Sequence, residues 1–385
     1  MKTIFLIALA GCSWTTFDDL ADQTPVRAQE KPDGNKSSDY GTALVGATTP
    51  GDNVGGKIAV LSSGPGNYST LNLDTGGKAQ SIGDNETLGQ HTIDSITPAA
   101  SLLFDGTNQV ALFDNSNVGT VVVVSGNVDC LSVDQQVGTS AHPDATAFVN
   151  GQAIVGVTAP AGMSNIFSVK GTSVVNCTLI DNVAMPLSPA AVAIDGTKLW
   201  AYSKSGAFFG YDLVKLDNPA SCVGLVPNTG AATVGTAMNG AHVDIVGGKF
   251  AVLTAFDLTA STSAGAVSVI DLTTMTAVGV PVAAVGVHSA AFNTFDGQGV
   301  VVLGYPNRSL DGTTAVGAVD LHKLDVATGT MNGTPDETLS IPNADSNHVF
   351  GRAVTTTNYN GKPIVVAAGA NTVYSFYQTS LYAKR

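Results

Sequence analysis

Few side chains in this sequence are equipped for chemistry, and their spacing narrows the options further. The six histidines are His91, His142, His242, His288, His322 and His348. None stands in a His-x-His or His-x-x-x-His pair, whereas a zinc centre draws on three or four ligands. His142 and His288 each precede a turn-type glycine, Gly151 and Gly297, by nine residues. That shared offset would put them at matching places in two structural units, beside an axial channel where a metal or an anionic ligand could be held. Taken one by one, the histidines read as ordinary loop residues. Cys130, Cys177 and Cys222 follow Gly106, Gly151 and Gly196 by 24, 26 and 26 residues. Such offsets imply equivalent outer positions in consecutive units, too far apart for a bridge that needs Cα atoms within about 7 Å. These three are expected to be buried small hydrophobes, not disulfide partners. Neither Gly-x-Ser-x-Gly nor a Ser-x-x-Lys in a helical setting is present. The acids are scattered, with no matched pair for glycoside hydrolysis. No catalytic, metal or cofactor residue is assigned.

The fourth cysteine is different. Residues 1 to 12 run Met-Lys-Thr-Ile-Phe-Leu-Ile-Ala-Leu-Ala-Gly-Cys. One cation precedes a short apolar run and small residues follow it, the order of a secretory signal peptide. The run is far shorter than the roughly 20 residues that span a bilayer as a helix. Leu9-Ala10-Gly11-Cys12 resembles a bacterial lipobox. The resemblance implies that the Cys12 thiol takes a diacylglyceryl group and that cleavage before it frees an amine for a further acyl chain. Two or three chains give stable anchoring. Ser13 in second place does not, by the same resemblance, flag inner-membrane retention, so the outer membrane is the expected address.

The elements that would position these groups come from a repeat. A turn glycine followed by a dense apolar run recurs at Gly56, Gly106, Gly151, Gly196, Gly248, Gly297 and Gly361, at intervals of 50, 45, 45, 52, 49 and 64 residues. Asp105-Gly106, Asn150-Gly151, Asp195-Gly196, Asp296-Gly297 and Asn360-Gly361 are hairpin signals, because both central residues of a type I′ turn have positive φ. The run after each glycine is almost wholly apolar, as in Val300-Val301-Val302-Leu303, which suits a strand buried on both faces. A third, more alternating strand follows, such as Ala266 to Leu272 or Ala318 to Leu324, and then a short polar fourth. Four strands per unit of about fifty residues predict an all-β fold, a seven-bladed β-propeller of four-stranded antiparallel blades. A tandem of β-sandwiches would need about 100 residues per domain.

The expected organisation is a signal peptide over 1–11, a tether with a possible ring-closing strand over 12–38, and the propeller over 39–385. Residues near Gln23 to Glu30 are the candidate closing strand, pairing in the seventh blade. The longest insertion, Met331 to Asn347, is the loop expected to contact a partner.

Composition fits this reading. Hydrophobic residues make up 44% and charged residues only 12%, with 43 glycines, which excludes wholesale disorder. The net charge of -13 opposes a nucleic-acid partner. Aromatic residues are 6%, few for a carbohydrate platform or a quinone-cofactor propeller.

Asp39-Tyr40-Gly41-Thr42-Ala43-Leu44-Val45-Gly46, with Gly51 to Val60, resembles an FG-GAP repeat, as does Val349-Phe350-Gly351-Arg352-Ala353-Val354 with Asn360 to Val366. The five units between keep the spacing without the aromatic-glycine pair. Such repeats build integrin-α-like seven-bladed propellers. The family's calcium loop corresponds to Gly51 to Gly56, which keeps only Asp52 and Asn53, too few oxygens for calcium's six to eight. Asp33 to Asp39 is a second stretch with alternating oxygen side chains, interrupted by Lys36 and lacking a closing Glu. The reading is a monomeric, non-enzymatic lipoprotein of the cell envelope that binds a protein or glycan partner without a cofactor. The alternative is an envelope enzyme, lactonase-like or lyase-like, using the axial channel.

Overall fold

The computed structural model describes residues 187–235, 240–256, 265–295, 297–310, 315–341, 349–359, 362–370 and 372–377, and ahead of them residues 180, 181 and 183 with the strands named next. The first strand is β1 (Arg27–Glu30). Sheet one comprises β2 (Tyr40–Gly46), β3 (Lys57–Ser62), β4 (Tyr68–Leu73) and β5 (Ala79–Ser81); sheet two β6 (Ser101–Phe104), β7 (Gln109–Phe113), β8 (Val121–Ser125) and β9 (Val128–Val133). Sheet three holds β10 (His142–Val149), β11 (Gln152–Thr158), β12 (Ser164–Lys170) and β13 (Ser173–Leu179). Sheet four begins with β14 (Pro189–Asp195), β15 (Lys198–Ser203) and β16 (Ala207–Asp212). An excursion containing β17 (Val223–Leu225) follows before β18 (Ala232–Thr233) completes it. Sheet five is β19 (Ala241–Val246), β20 (Phe250–Ala255) and β21 (Ala266–Asp271), edged by β22 (Thr276–Ala277) and β23 (Val282–Ala283). Sheet six is β24 (Ser289–Phe295), β25 (Gln298–Tyr305), β26 (Ala318–Asp325) and β27 (Glu337–Leu339). Sheet seven is β28 (Ala353–Tyr359), β29 (Lys362–Ala368) and β30 (Thr372–Tyr377), with β1 as its outer strand.

The fold is an all-β propeller. The first strand of each sheet lies against the first strand of the next, from β2 through β6, β10, β14, β19, β24 and β28, and β28 lies against β2. Strand β1 pairs antiparallel with β30, Arg27 opposite Ser375 and Glu30 opposite Thr372. The first and the last described strands therefore share one sheet.

Sheet six is buried on both faces because alternate residues serve different neighbours. In β25, Val301, Leu303 and Tyr305 join Val246, Phe250, Val252 and Val267 of sheet five in one core. Val300 and Val302 join Phe350, just ahead of β28, and Val365 and Phe376 of sheet seven in another. Strand β20 is buried along its whole length. This accounts for runs without polar alternation: a strand between two sheets has no solvent face.

Asn150-Gly151, Asp296-Gly297 and Asn360-Gly361 lie at the centres of their two-residue turns, as expected, but one turn shifts by a residue. Asp195 pairs with Lys198, so the central residues are Gly196 and Thr197. Of these only Gly196 has positive φ, at 57°. This is the pattern of a turn with glycine first, in which Asp195 remains a strand residue.

The excursion after β16 corrects the reading of the cysteines. Asp212 accepts from the Val214 amide (3.1 Å) to start a 3-10 turn, Leu213–Asp217. Asn218 accepts from the Ala220 amide (3.0 Å) to cap a single helical turn, Pro219–Cys222. The chain then runs back to sheet three, where β17 pairs parallel with β13, Thr178 opposite Val223. Cys222 therefore sits not on the outer strand of sheet four but over that of sheet three. It forms a disulfide with Cys177, the Cα atoms 4.9 Å apart. Equal offsets from the turn glycines hid an insertion of the right length to reach backwards.

The stretch Met331 to Asn347 is also not a free loop where it is described. Met331 bridges Leu324, and β27 pairs with β26 and buries Leu339 in the core between sheets six and seven. The extra length there includes a blade strand.

Candidate functional site

The described part of the molecule has a cleft of about 360 Å³ between sheets five and six, away from the inner strands. One wall is the segment after β23, with Ala283, Val285 and Gly286; the other is built by β25, β26 and the segment before β27. Strand alternation explains its chemistry. On β26, Ala318, Asp320, His322 and Leu324 share the face towards sheet five, while Val319 and Leu321 pack towards sheet seven. Asp320 and His322 thus stand in a stripe that is otherwise apolar, 4% and 3% exposed.

Burying a carboxylate requires partners. Arg308, just beyond the end of β25, donates to Asp320 Oδ2, and Thr338 of β27 donates to Oδ1 at 2.6 Å. The guanidinium also lies over the Tyr305 ring, 5.2 Å from its centroid. Arg308 keeps 38% of its side chain exposed, and its other N–H groups make no hydrogen bond among the described residues. Burial, reinforced by the Asp320 charge and opposed by Arg308, pushes the Tyr305 hydroxyl well above the ordinary phenol range. It stays protonated and can donate. His322 Nδ1 lies 3.1 Å from the Asn332 carbonyl. A carbonyl only accepts, so Nδ1 carries the proton, and in the neutral ring Nε2 is left as an acceptor. Asp336, opposite His322 across β26, is engaged by the Lys323 amide (2.7 Å) and Asn332 Nδ2 (3.0 Å). The cleft can therefore offer donors from Arg308, an acceptor nitrogen from His322 and short apolar walls.

The sequence singled out none of these residues for chemistry. The signal was present in the repeat: aligning the strand-ending Asp271 and Asp325 matches Ala266 with Asp320 and Ser268 with His322. Small residues in one unit are replaced by ionisable ones in the next.

The residues that were singled out fare differently. Cys12, Asp33 to Asp39, Asp52, Asn53, His91 and His348 lie outside the described residues. His142 opens β10 and pairs with Thr158, while His288 immediately precedes β24, its amide donating to the Gly304 carbonyl at 2.9 Å. They occupy the starts of the first strands of sheets three and six. His242, on β19, forms an ion pair with Asp244 at 2.8 Å. No group of three or more His, Cys, Asp or Glu that could hold a metal occurs among the described residues. No described helix is long and apolar enough to cross a membrane.

No protein-family model and no curated protein matches the chain. Solved structures do. A chain of the mitotic checkpoint complex is similar at 11% identity and a TM-score of 0.54, covering 98% of both chains. The WD40 domain of Neurospora crassa Pan2 is similar at 12% identity and TM-score 0.52, over 92% of this chain and 95% of that one. The WD40 β-propeller domain of Doa1 follows at 13% and 0.52, over 93% and 97%. At such identities the likeness concerns the fold alone, a β-propeller.

Proposed function

We propose that this chain is a non-enzymatic, lipid-anchored protein of the bacterial cell envelope, a seven-bladed propeller that serves as a scaffold for a protein or other extracellular ligand. The disulfide between Cys177 and Cys222 is the observation that supports export, because such bonds persist in oxidising compartments outside the cytosol. Cys12 would hold the acyl chains, and the outer membrane is the address in view. Seven sheets whose first strands touch in a cycle support the blade count, and β1 supports closure by the N-terminal segment directly after the tether. The FG-GAP-like stretches at the first and last units belong to the same reading. A scaffold role rests on architecture: buried sheets supply rigidity, and the connections between them are free to vary. One similar chain belongs to the mitotic checkpoint complex.

Cell fractionation and intact mass test the anchoring. The wild-type chain should be in the membrane fraction with residues 1–11 removed and an acylated Cys12, and Cys12→Ser should release it. Unchanged fractionation of Cys12→Ser, or an intact unmodified Met1, refutes the anchor. Saturable turnover of lactone substrates by the purified chain would overturn the non-enzymatic part.

A further inference from the structure

We propose that the cleft between sheets five and six is a binding site for a small aliphatic carboxylate, held by Arg308 and His322 with uptake of one proton at His322. The argument starts from which groups are already engaged. Both Asp320 oxygens are taken, one by Arg308 and one by Thr338. The rest of the guanidinium is donor-only and partly exposed, so it calls for an acceptor. His322 lines the same cleft, and its Nε2 has no hydrogen-bond partner among the described residues.

Charge decides between an anion and a neutral guest. With neutral His322 the Arg308–Asp320 pair balances itself, and the flanking Asp336 and Glu337 add negative charge. An incoming carboxylate would add one more inside a partly buried site, a costly state. Protonation of His322 offsets the incoming charge and turns Nε2 into a second donor to the carboxylate. Arg308, Asp320 and the protonated Tyr305 face the imidazole from its own sheet. Asp336 and Glu337 flank it across β26, Asp336 already engaged through both oxygens. The cleft wall from sheet five contributes Ala283, Val285 and Gly286, which carry no charge. Those apolar groups and a volume of about 360 Å³ suit a short aliphatic tail.

The test titrates butyrate, acetate and the neutral isostere butyramide into the purified chain, reading the histidine ring protons by NMR. His322→Gln assigns the resonance. Butyrate should bind saturably with millimolar affinity, about 4 kcal/mol, more tightly than acetate. Where the ring signals show His322 uncharged, butyrate binding should tighten about tenfold for each unit of pH decrease, the signature of one proton taken up. Arg308→Gln alone would strand Asp320, so the paired variant Arg308→Gln/Asp320→Asn removes the ion pair as a neutral unit and should abolish binding. His322→Gln, which leaves the ion pair intact, should remove the pH dependence and most of the affinity. Binding that ignores pH, equal binding of butyramide, retention in either variant, or no saturable shift overturns the proposal. It needs neither the lipid anchor nor a macromolecular partner, so it and the scaffold reading fail separately.

Discussion

Opening the Cys177–Cys222 bridge should weaken the propeller by an amount that its loop length sets. The closed loop spans 45 residues, and the chain entropy that the bridge removes from the unfolded state corresponds to about 4 kcal/mol. Both cysteines are fully buried, and the bridge pins the excursion Leu213–Leu225 onto β13. The native state has no exposed geometry to relax into once it opens. Comparing oxidised with reduced chain leaves both sulfurs in place, so the difference isolates the cross-link from any cavity. Equilibrium denaturant unfolding should show a lower midpoint on reduction. For a domain of this size the same loss is roughly a 5 °C fall in melting temperature. Cys177→Ala/Cys222→Ala should fall at least as far and become insensitive to reductant, whereas Cys130→Ala should keep the full response. Thiol counting by mass spectrometry, on the unreduced chain unfolded in alkylating agent, should find this pair protected. Three alkylated thiols among Cys130, Cys177 and Cys222, or identical midpoints with and without reductant, would refute the reasoning.

Three further perturbations probe local devices. Gly317 has φ +91°, and a Cβ there would lie 2.6 Å from the Phe350 amide nitrogen and closer still to its carbonyl oxygen. Gly317→Ala should therefore destabilise by more than about 1 kcal/mol in denaturant unfolding, through strain and the lost close approach of sheets six and seven. Asp271 and Asp325 end β21 and β26 and accept from the backbone amides two and three residues on, which holds both carboxyls below their ordinary range. Their contribution is present above the usual carboxylate pKa and lost as pH falls through the depressed folded value. Asp271→Asn and Asp325→Asn should flatten the acid limb of the stability profile, and an unchanged limb would contradict this. Burial works against a charged His242, but the charge and hydrogen bond of Asp244 outweigh it and raise its pKa. The stabilisation from that pair is full below the unfolded value of about 6.5 and disappears as pH rises through the folded value. In an NMR titration Asp244→Asn should lower the His242 midpoint; a constant midpoint would exclude the pair as its cause.

Two features of each strand-turn unit carried most of the architecture into the sequence. A glycine at a tight turn and an apolar run behind it announce a strand with a sheet on either side, because both signals are local consequences of backbone φ and of two buried faces. Spacing then gave the repeat. Even so, Asp195-Gly196 misled by one residue, since the same dipeptide serves two turn geometries and only pairing partners tell them apart.

Locality also marks where the sequence stops. Composition and the regular recurrence of glycine by themselves determined an all-β propeller, because turn chemistry and two-faced burial act within a few residues. Which residues meet across sheets depended on where the irregular segments travel. The thirteen residues Leu213–Leu225 after β16 could have stayed in sheet four; only the tertiary structure sends them back to sheet three and joins Cys222 to Cys177. Likewise Asp320 and His322 are plain polar residues on an alternating strand until Arg308, Thr338 and the wall of sheet five close around them. Contacts between groups distant in sequence are set by packing, and packing has no signature at a single position.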